Sequence, residues 1–403
     1  MYADNPSELH AGAILQIDLA ALAANYQILK RRAGGATCAA VLKADAYGLG
    51  VGRVGPTLLA AGCNDFFVAH LGEGISLRHI LGPVPTIYIL HGPMSGMGPG
   101  MGSGPETEHD FLVHDLIPVL NTTEQLERWS AKGRNLGRQL AAALQLDTGM
   151  NRLGLTAAET SALSAAPERL DGMDLRFVVS HLACADEADH SMNREQRQEF
   201  DRLRRLLPQT PASLANSSGI FLGSDYHYDL VRPGVALYGG NPTPGLANPM
   251  KEVVRLRGKI LQVREIDTPQ TVGYGATHRA SGPRRIATVP VGYADGYLRS
   301  LSGSVSGQGM GGLAGVSVPI VGRVSMDLIT LDVTDVPRDA QGDAARPGAL
   351  VDLIGGLGPA LDDVAAQAGT IGYEILTSLG RRYHRQYHGG IGTKNSNGEA
   401  ANG

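Results

Sequence analysis

The sequence is poor in tryptophan, phenylalanine, cysteine and net charge. One Trp and 6 Phe stand against 13 Tyr in 403 residues, so most rings carry a hydroxyl where a plain core would use Phe. Three cysteines, Cys38, Cys63 and Cys184, are odd in number and lack CxxC or CxxH spacing. That excludes a disulfide framework and a structural zinc site, no metal is expected, and the thiols read as small buried groups. The 35 Lys and Arg against 39 Asp and Glu give a net charge of −4. No segment gathers the cations a phosphate backbone requires, so nucleic acid is not an expected partner. There is no run of about 18 apolar residues, and no basic start followed by an apolar stretch. Neither a membrane nor export is therefore expected, and the chain reads as cytoplasmic. With 43% hydrophobic and 18% charged residues it is not disordered as a whole. Its length suits a barrel of about 250 residues with a second domain.

What the chain has in plenty is glycine, 54 residues, partly gathered in GPMSGMGPGMGSGP from residue 92 and SGSVSGQGMGGLAG from residue 302. Both patches read as mobile surface loops or insertions. The tail GGIGTKNSNGEAANG from residue 389 has almost nothing to bury and reads as disordered. Between residues 37 and 240 eight apolar runs recur: TCAAVLK, DFFVAHL, TIYILHG, DLIPVLN, QLAAALQLD, LRFVVSHL, PASLANS and YDLVRPGVALYG. Amphipathic segments such as NTTEQLERWSAKG, TAAETSALSAA and NREQRQEFDRLRRLL separate them, with Asn121 and Thr156 as expected N-caps. Each pair has the length of a βα unit, so an α/β fold with a (β/α)8 TIM barrel is predicted. An open doubly wound sheet is the competing topology, but no GxGxxG follows the first strand.

After about residue 245 the pattern becomes mainly β, with VVRLRGKILQVREI, QTVGYGATHRA, RRIATVPVGYADGY, VSVPIVGRVSMDLITLDV and ALVDLIG as strands and ALDDVAAQAG as one helix. The expected organisation is an N-terminal extension over 1–12, the barrel over 13–244, the β domain over 245–388 and the tail over 389–403. The stretch ILQIDL alternates like a strand and is expected to pair with the β domain before the helix ALAANYQILKRR leads into the barrel. Both chain ends would then build the second domain.

Barrel enzymes place their chemistry at the C-terminal ends of the strands. Lys43 ends the first, Asp147 and Arg152 follow the fifth, His181 ends the sixth, Asn216 and Ser217 end the seventh, and Arg232 lies in the eighth. A lysine after an apolar strand is usually a snorkelling surface group. Here ADAYGLG follows, whose glycines let backbone approach a ligand, and a desolvated lysine is the nucleophile that condenses with carbonyls. Taken singly, His181 reads as a core histidine, Asp147 and Asp327 as caps, Tyr293 as a strand residue and Met326 as packing.

AVLKADAYGLG resembles the pyridoxal phosphate lysine motif of the alanine racemases. The resemblance continues in order through DTGMNRLG, SHLACAD, ANSSG, VRPGVALYG, VGYGATHRA, VGYADGY, VGRVSMD and TIGYE, over about residues 13–388. It implies pyridoxal 5′-phosphate as cofactor, held covalently by Lys43, with Lys43 and Tyr274 as two catalytic bases. Tyr47, Ser217, Gly234, Val235 and Tyr373 match the phosphate contacts, and Asn216 lies beside them. Arg232 matches the partner of the pyridine nitrogen and His181 the residue that orients it. Arg152 matches the contact to the phenolic oxygen and also faces the substrate, while Tyr293, Met326 and Asp327 match the substrate-side wall. The implied reaction interconverts L-alanine and D-alanine, the latter for peptidoglycan. Racemisation of serine or of many amino acids is the alternative; a cofactor-binding protein without chemistry is a third, opposed by the presence of both Lys43 and Tyr274. Because Lys43 lies in the barrel and Tyr274 in the β domain, the resemblance implies a head-to-tail homodimer whose sites draw on both chains.

The residue types suit this chemistry. Racemisation removes a proton from one face of a planar carbon and returns it to the other, so two groups on opposite sides serve better than one. Lysine and tyrosine both titrate near 10, and neighbours must make their proton-free forms available. Arginine, with a pKa above 12, is a poor proton donor to a ring nitrogen, which then stays neutral. Two positions depart from the family pattern. Gln145 stands seven residues before Arg152, where many relatives carry a carbamylated lysine, so Arg152 is expected to be held by hydrogen bonding or with an anion. Ser325 precedes Met326, where cysteine is frequent.

Overall fold

Runs such as Asp65–Val68 and Thr86–Ile89 are apolar on both faces, the pattern of parallel strands covered by a barrel interior on one side and helices on the other. The computed structural model describes residues 5–94, 105–303, 308–339 and 342–390. In it seven parallel strands follow one another in chain order: Ala40–Val41, Asp65–Val68, Thr86–Ile89, Ile117–Leu120, Leu140–Gln145, Met173–Val179 and Ala212–Ser213. The eighth, Leu230–Val231, pairs in parallel with Thr37–Cys38, which runs directly into the first strand. Its other side is joined to the seventh by Arg232 N–H donating to the Ala215 carbonyl at 2.9 Å and Asp229 N–H to the Ala212 carbonyl at 3.0 Å. The ring is thereby closed, as the eight apolar runs predict.

Helices cover the outside. Ser191–Arg204 buries Asn193, Gln196, Phe200 and Leu203, positions spaced by three and four that form one stripe toward the strands. Thr156 caps its helix with a reciprocal box to Glu159. The cap expected at Asn121 falls instead on Thr122, whose hydroxyl accepts from the Gln125 amide. Asn121 is buried, and its side-chain amide donates to the carbonyls of Leu90 and Val119, tying the third and fourth strand ends together.

The chain ends meet in the second domain. Ala13–Asp18 pairs antiparallel with Val254–Lys259 and parallel with His384–His388. The resulting six-stranded sheet continues through Leu350–Ile354, Met310–Leu313 and Val316–Pro319. Within it Arg255 grips the buried Asp352 with two hydrogen bonds, Nε at 2.9 Å and a terminal nitrogen at 2.6 Å. A second sheet joins Gln262–Ile266, Arg284–Val289 and Ile329–Asp332.

Three local expectations are corrected. The glycine patch near 302 is not all loop, because Met310–Leu313 is a sheet strand. Gly312 is glycine there since a Cβ would collide with the carbonyl of Leu357. QTVGYGATHRA is not one strand but a short hairpin, Thr271–Val272 with His278–Arg279, whose tip Tyr274–Ala276 is a 3-10 turn. Tyr293 likewise lies in a 3-10 turn, Tyr293–Asp295, after its strand has ended. Most of the patch from 92 (residues 95–104) and the tail from 391 lie outside the described residues. Among the described residues no helix is long and apolar enough to cross a membrane.

Candidate active site

A cavity of about 730 Å³ opens at the C-terminal rim of the barrel strands. The first strand leads into it through an unusual turn. Ala44, Asp45, Ala46 and Tyr47 follow Lys43 with φ of 55°, 54°, 54° and 56°, a left-handed helical turn built without glycine. Such residues cost about 1–2 kcal/mol each, so other contacts must impose the shape. Ala44 N–H donates to Glu73 Oε1 at 2.6 Å, and Val51 N–H to Asp45 Oδ1 at 2.7 Å. The turn aims Lys43 into the cavity and Tyr47 beneath it, stacked on Tyr238 with centroids 4.6 Å apart. The Lys43 amine has no partner among the described residues. Solvent reaches it through the cavity mouth, yet protein surrounds it, and this desolvation lowers its pKa. Arg152 acts in the same direction and Glu73 opposes it.

One end of the cavity is a cradle of donors. Ser217 Oγ accepts from the amides of Gly234 at 2.8 Å and Ala236 at 3.3 Å, which leaves its own proton to point elsewhere. The Val235 amide and the hydroxyls of Tyr47 and Tyr373 have no partner among the described residues, and all line the same space. Burial pushes the pKa of Tyr47 up; Tyr373 is 39% exposed, yet desolvation of its hydroxyl pushes it up to about 12, so both stay protonated and can donate. A Cβ at Gly234 would overlap the Tyr47 hydroxyl, so glycine is what lets ring and backbone converge. Asn216 also lines the cavity, where its side-chain oxygen accepts from the Gly219 amide at 2.9 Å and shapes the loop.

Across the cavity Arg232 is buried with no carboxylate partner. It donates to Ser213 Oγ, to the Ser180 carbonyl at 2.5 Å and to the Leu214 carbonyl at 3.5 Å. Its Nε has no partner among the described residues. Burial pulls its pKa down to about 10, still far above neutrality. His181 lines the cavity beside it but makes no hydrogen bond to it among the described residues. Ser213, the last residue of the seventh strand, and the carbonyl of Ser180, just past the end of the sixth, hold the guanidinium instead. Burial, with the cations Arg232, Arg152 and Lys43 near, lowers the His181 pKa to about 3 and keeps the ring neutral.

Arg152 lines the cavity and is exposed, with no partner among the described residues. Gln145 does not hold it. The Gln145 amide donates to the Leu153 carbonyl at 3.3 Å and so closes the turn that carries Arg152. Asp147 has a cap-like role in that turn, accepting from the amides of Gly149 and Asn151.

Tyr274, Tyr293, Met326 and Asp327 do not line this cavity. They sit on the β domain with Tyr274 72%, Tyr293 43% and Met326 54% exposed. Ser325 closes the turn under Met326, its hydroxyl donating to the Leu328 carbonyl at 2.7 Å and accepting from the Leu328 amide at 3.1 Å. A histidine pair escaped the sequence reading. His91 lines the cavity, with Nδ1 3.3 Å from Nδ1 of His70, and burial, His70 and Lys43 lower its pKa. Both end apolar runs, DFFVAHL and TIYILHG, so the strand-end rule could have found them.

The cavity thus joins an anion cradle, an amine without a partner and a guanidinium edge suited to a neutral acceptor. Known proteins carry the same arrangement of domains. The family model "Alanine racemase, N-terminal domain" matches residues 17–242, and "Alanine racemase, C-terminal domain" matches residues 253–387. A Rhodospirillum rubrum protein named alanine racemase is 52% identical over 95% of this chain and 97% of its own. A Mesorhizobium japonicum protein named alanine racemase, catabolic, is 49% identical over 95% of each. The crystal structure of alanine racemase from Bartonella henselae with covalently bound pyridoxal phosphate superposes with a TM-score of 0.85 at 38% identity, covering 94% of this chain and 99% of that one. Both halves of the chain, in their known order and over nearly their whole length, belong to the alanine racemase family.

Proposed function

We propose that this chain interconverts L-alanine and D-alanine with pyridoxal 5′-phosphate, using Lys43 and the Tyr274 of a partner subunit as its two bases. The observation that carries the reading is the separation of those groups: Lys43 lines the barrel cavity, while Tyr274 stands exposed on the β domain outside it. A head-to-tail homodimer brings one chain's β domain over the other's barrel mouth and completes two sites.

The residues fit the cofactor. Ser217, the Val235 amide, Tyr47 and Tyr373 would hold its phosphate with neutral donors, and Arg232 would face its ring nitrogen. Arg152 would contact the phenolic oxygen and Lys43 would hold the group covalently. When bound, pyridoxal phosphate supplies an electron sink that makes the α-proton of an amino acid removable. The chain's own groups then move that proton. Lys43, whose pKa is lowered by burial and by Arg152, takes or returns it on one face. Tyr274 of the partner subunit does so on the other, while Tyr293, Met326 and Asp327 of the partner subunit wall the substrate. Arg232 stays charged at neutral pH and would be a poor proton donor to the ring nitrogen it faces, which would limit side reactions at some cost in rate.

The cytoplasmic setting and the supply of D-alanine to peptidoglycan belong to the same proposal. The name of the Mesorhizobium relative, alanine racemase, catabolic, favours a second reading, a role in the breakdown of alanine. One site serves both, because a racemase runs in both directions. Serine or broader specificity is the alternative for the substrate, and a screen over amino acids decides it.

Subunit complementation tests the shared site. Lys43→Ala and Tyr274→Phe homodimers are expected to be inactive. Equal mixing after dissociation is expected to restore about a quarter of wild-type activity, since about half the dimers are mixed and each mixed dimer has one intact site. No recovery, or an active monomer on dilution, refutes the proposal.

A further inference from the structure

The expected substrate wall stands on two loops that are far apart in sequence, the 3-10 turn Tyr293–Asp295 and the turn over residues 325–328. Backbone contact alone zips them weakly: Tyr293 N–H donates to the Ser325 carbonyl at 3.1 Å and Ala294 N–H to the Met326 carbonyl at 3.0 Å. The approach is close, since a Cβ on Gly292 would strike the carbonyls of Met326 and Ser325. A third segment then reaches both loops at once. Arg382 pairs through Nε with Asp295 Oδ1 at 2.9 Å and donates from a terminal nitrogen to Asp327 Oδ1 at 2.9 Å. The two carboxylates differ in setting. Asp295 is only 3% exposed and also accepts from the Gly292 amide at 2.9 Å, whereas Asp327 faces solvent.

We infer that Arg382 is a positioning residue for racemisation, clasping the turn that carries Tyr293 to the turn that carries Met326 and Asp327 so that the wall meets the substrate in one geometry. The inference rests on the proposed reading, in which these three residues face the substrate in a partner's site. A planar guanidinium is required because its fork offers separate nitrogens to two carboxylates, whereas a lysine ammonium holds one of them well. The buried member, Asp295, anchors the clasp, and the exposed member, Asp327, is what the clasp orients.

The test uses the full-length holoenzyme with Arg382→Gln and Arg382→Lys. Arg382→Gln is expected to raise the KM for alanine roughly tenfold while kcat falls less, because the wall orients substrate and the bases are untouched. Arg382→Lys is expected to lie between it and wild type. Cofactor absorbance and dimer mass are expected to be unchanged, which a general folding defect would not allow. Amide exchange is the readout that does not need activity: Tyr293 and Ala294, which donate across the two loops, are expected to exchange faster in both variants. A KM within twofold of wild type in Arg382→Gln, a loss of cofactor or dimer together with activity, or unchanged exchange at these amides overturns the inference. Should Arg382→Gln fail to fold, Arg382→Lys decides, since wild-type exchange and KM in that variant would show that no two-pronged clasp operates. An inactive wild type would remove the functional reading but leave the exchange measurement standing, so the two failures are distinguishable.

Discussion

Gly234→Ala isolates the phosphate cradle from the rest of the cavity. Gly234 has φ −123° and ψ −94°, outside the broad β and right-handed α regions, so alanine there adds backbone strain to the contact it makes. The added Cβ would sit 3.0 Å from Cζ of Tyr47 and overlap its hydroxyl. Relief needs a shift of roughly half an ångström or more, since carbon atoms prefer about 3.5–4.0 Å. The ring cannot swing away freely. It is 5% exposed and stacked on Tyr238, whose own hydroxyl is fixed to the Val41 carbonyl at 2.9 Å. Overpacking of this kind costs about 1–3 kcal/mol. Because the strain falls on a phosphate donor, it is expected to weaken pyridoxal phosphate about 5- to 150-fold. The assay is an absorbance titration of protein stripped of cofactor, with pyridoxal phosphate and with pyridoxal, which lacks the phosphate. Selective loss for the phosphorylated compound is expected. Unchanged affinity, or equal weakening of both compounds, would refute the assignment of this cradle to phosphate.

Other outcomes follow from single features of the site. Ser213→Ala removes a hydroxyl that accepts from buried Arg232 and is expected to destabilise the protein by about 1–3 kcal/mol, measured by urea unfolding. Ala44→Gly relieves a left-handed residue that costs about 1–2 kcal/mol, offset by about 0.5–1 kcal/mol of glycine entropy, so the melting temperature is expected to rise slightly; a fall would count against strain in this turn. His181 titrates near 3 in the folded chain but near 6.5 when unfolded. The unfolded state therefore binds the extra proton between those values, and stability is full above pH about 6.5 and falls as pH drops toward 3, by up to about 1.4 kcal/mol per unit. Acid unfolding of cofactor-free His181→Asn is expected to be shallower than that of wild type.

The barrel was legible because each strand is an apolar run ended by a polar residue, a pattern that survives errors of two residues at its edges. The same rule brought Lys43, His181, Ser217 and Arg232 together. What escaped it depends on contacts the sequence does not advertise. Thr122 rather than Asn121 caps its helix because Asn121 is engaged by neighbouring strand ends. The strand Met310–Leu313 hides in a glycine-rich stretch because its small residues answer to the Leu357 carbonyl and Val351, which come much later in the chain. Arg382 reads as a surface cation until the fold brings it to Asp327, 55 residues away in sequence. The motifs VGYGAT and VGYADGY suggested strands, whereas Tyr274 and Tyr293 lie in turns that leave their side chains standing out from the domain.

The placing of Ala13–Asp18 between Val254–Lys259 and His384–His388 in the six-stranded sheet sets a timetable for synthesis. This strand leaves the ribosome before either neighbour: Val254–Lys259 follows some 240 residues later and His384–His388 some 370 residues later. At about 5–20 residues per second the strand waits roughly 20 to 70 seconds for its last partner. Meanwhile the barrel that follows it can assemble. A growing chain therefore carries a finished barrel with an unpaired strand at its front, and a chain cut short before residue 384 is expected to leave that strand with an open edge, fit to pair with another molecule.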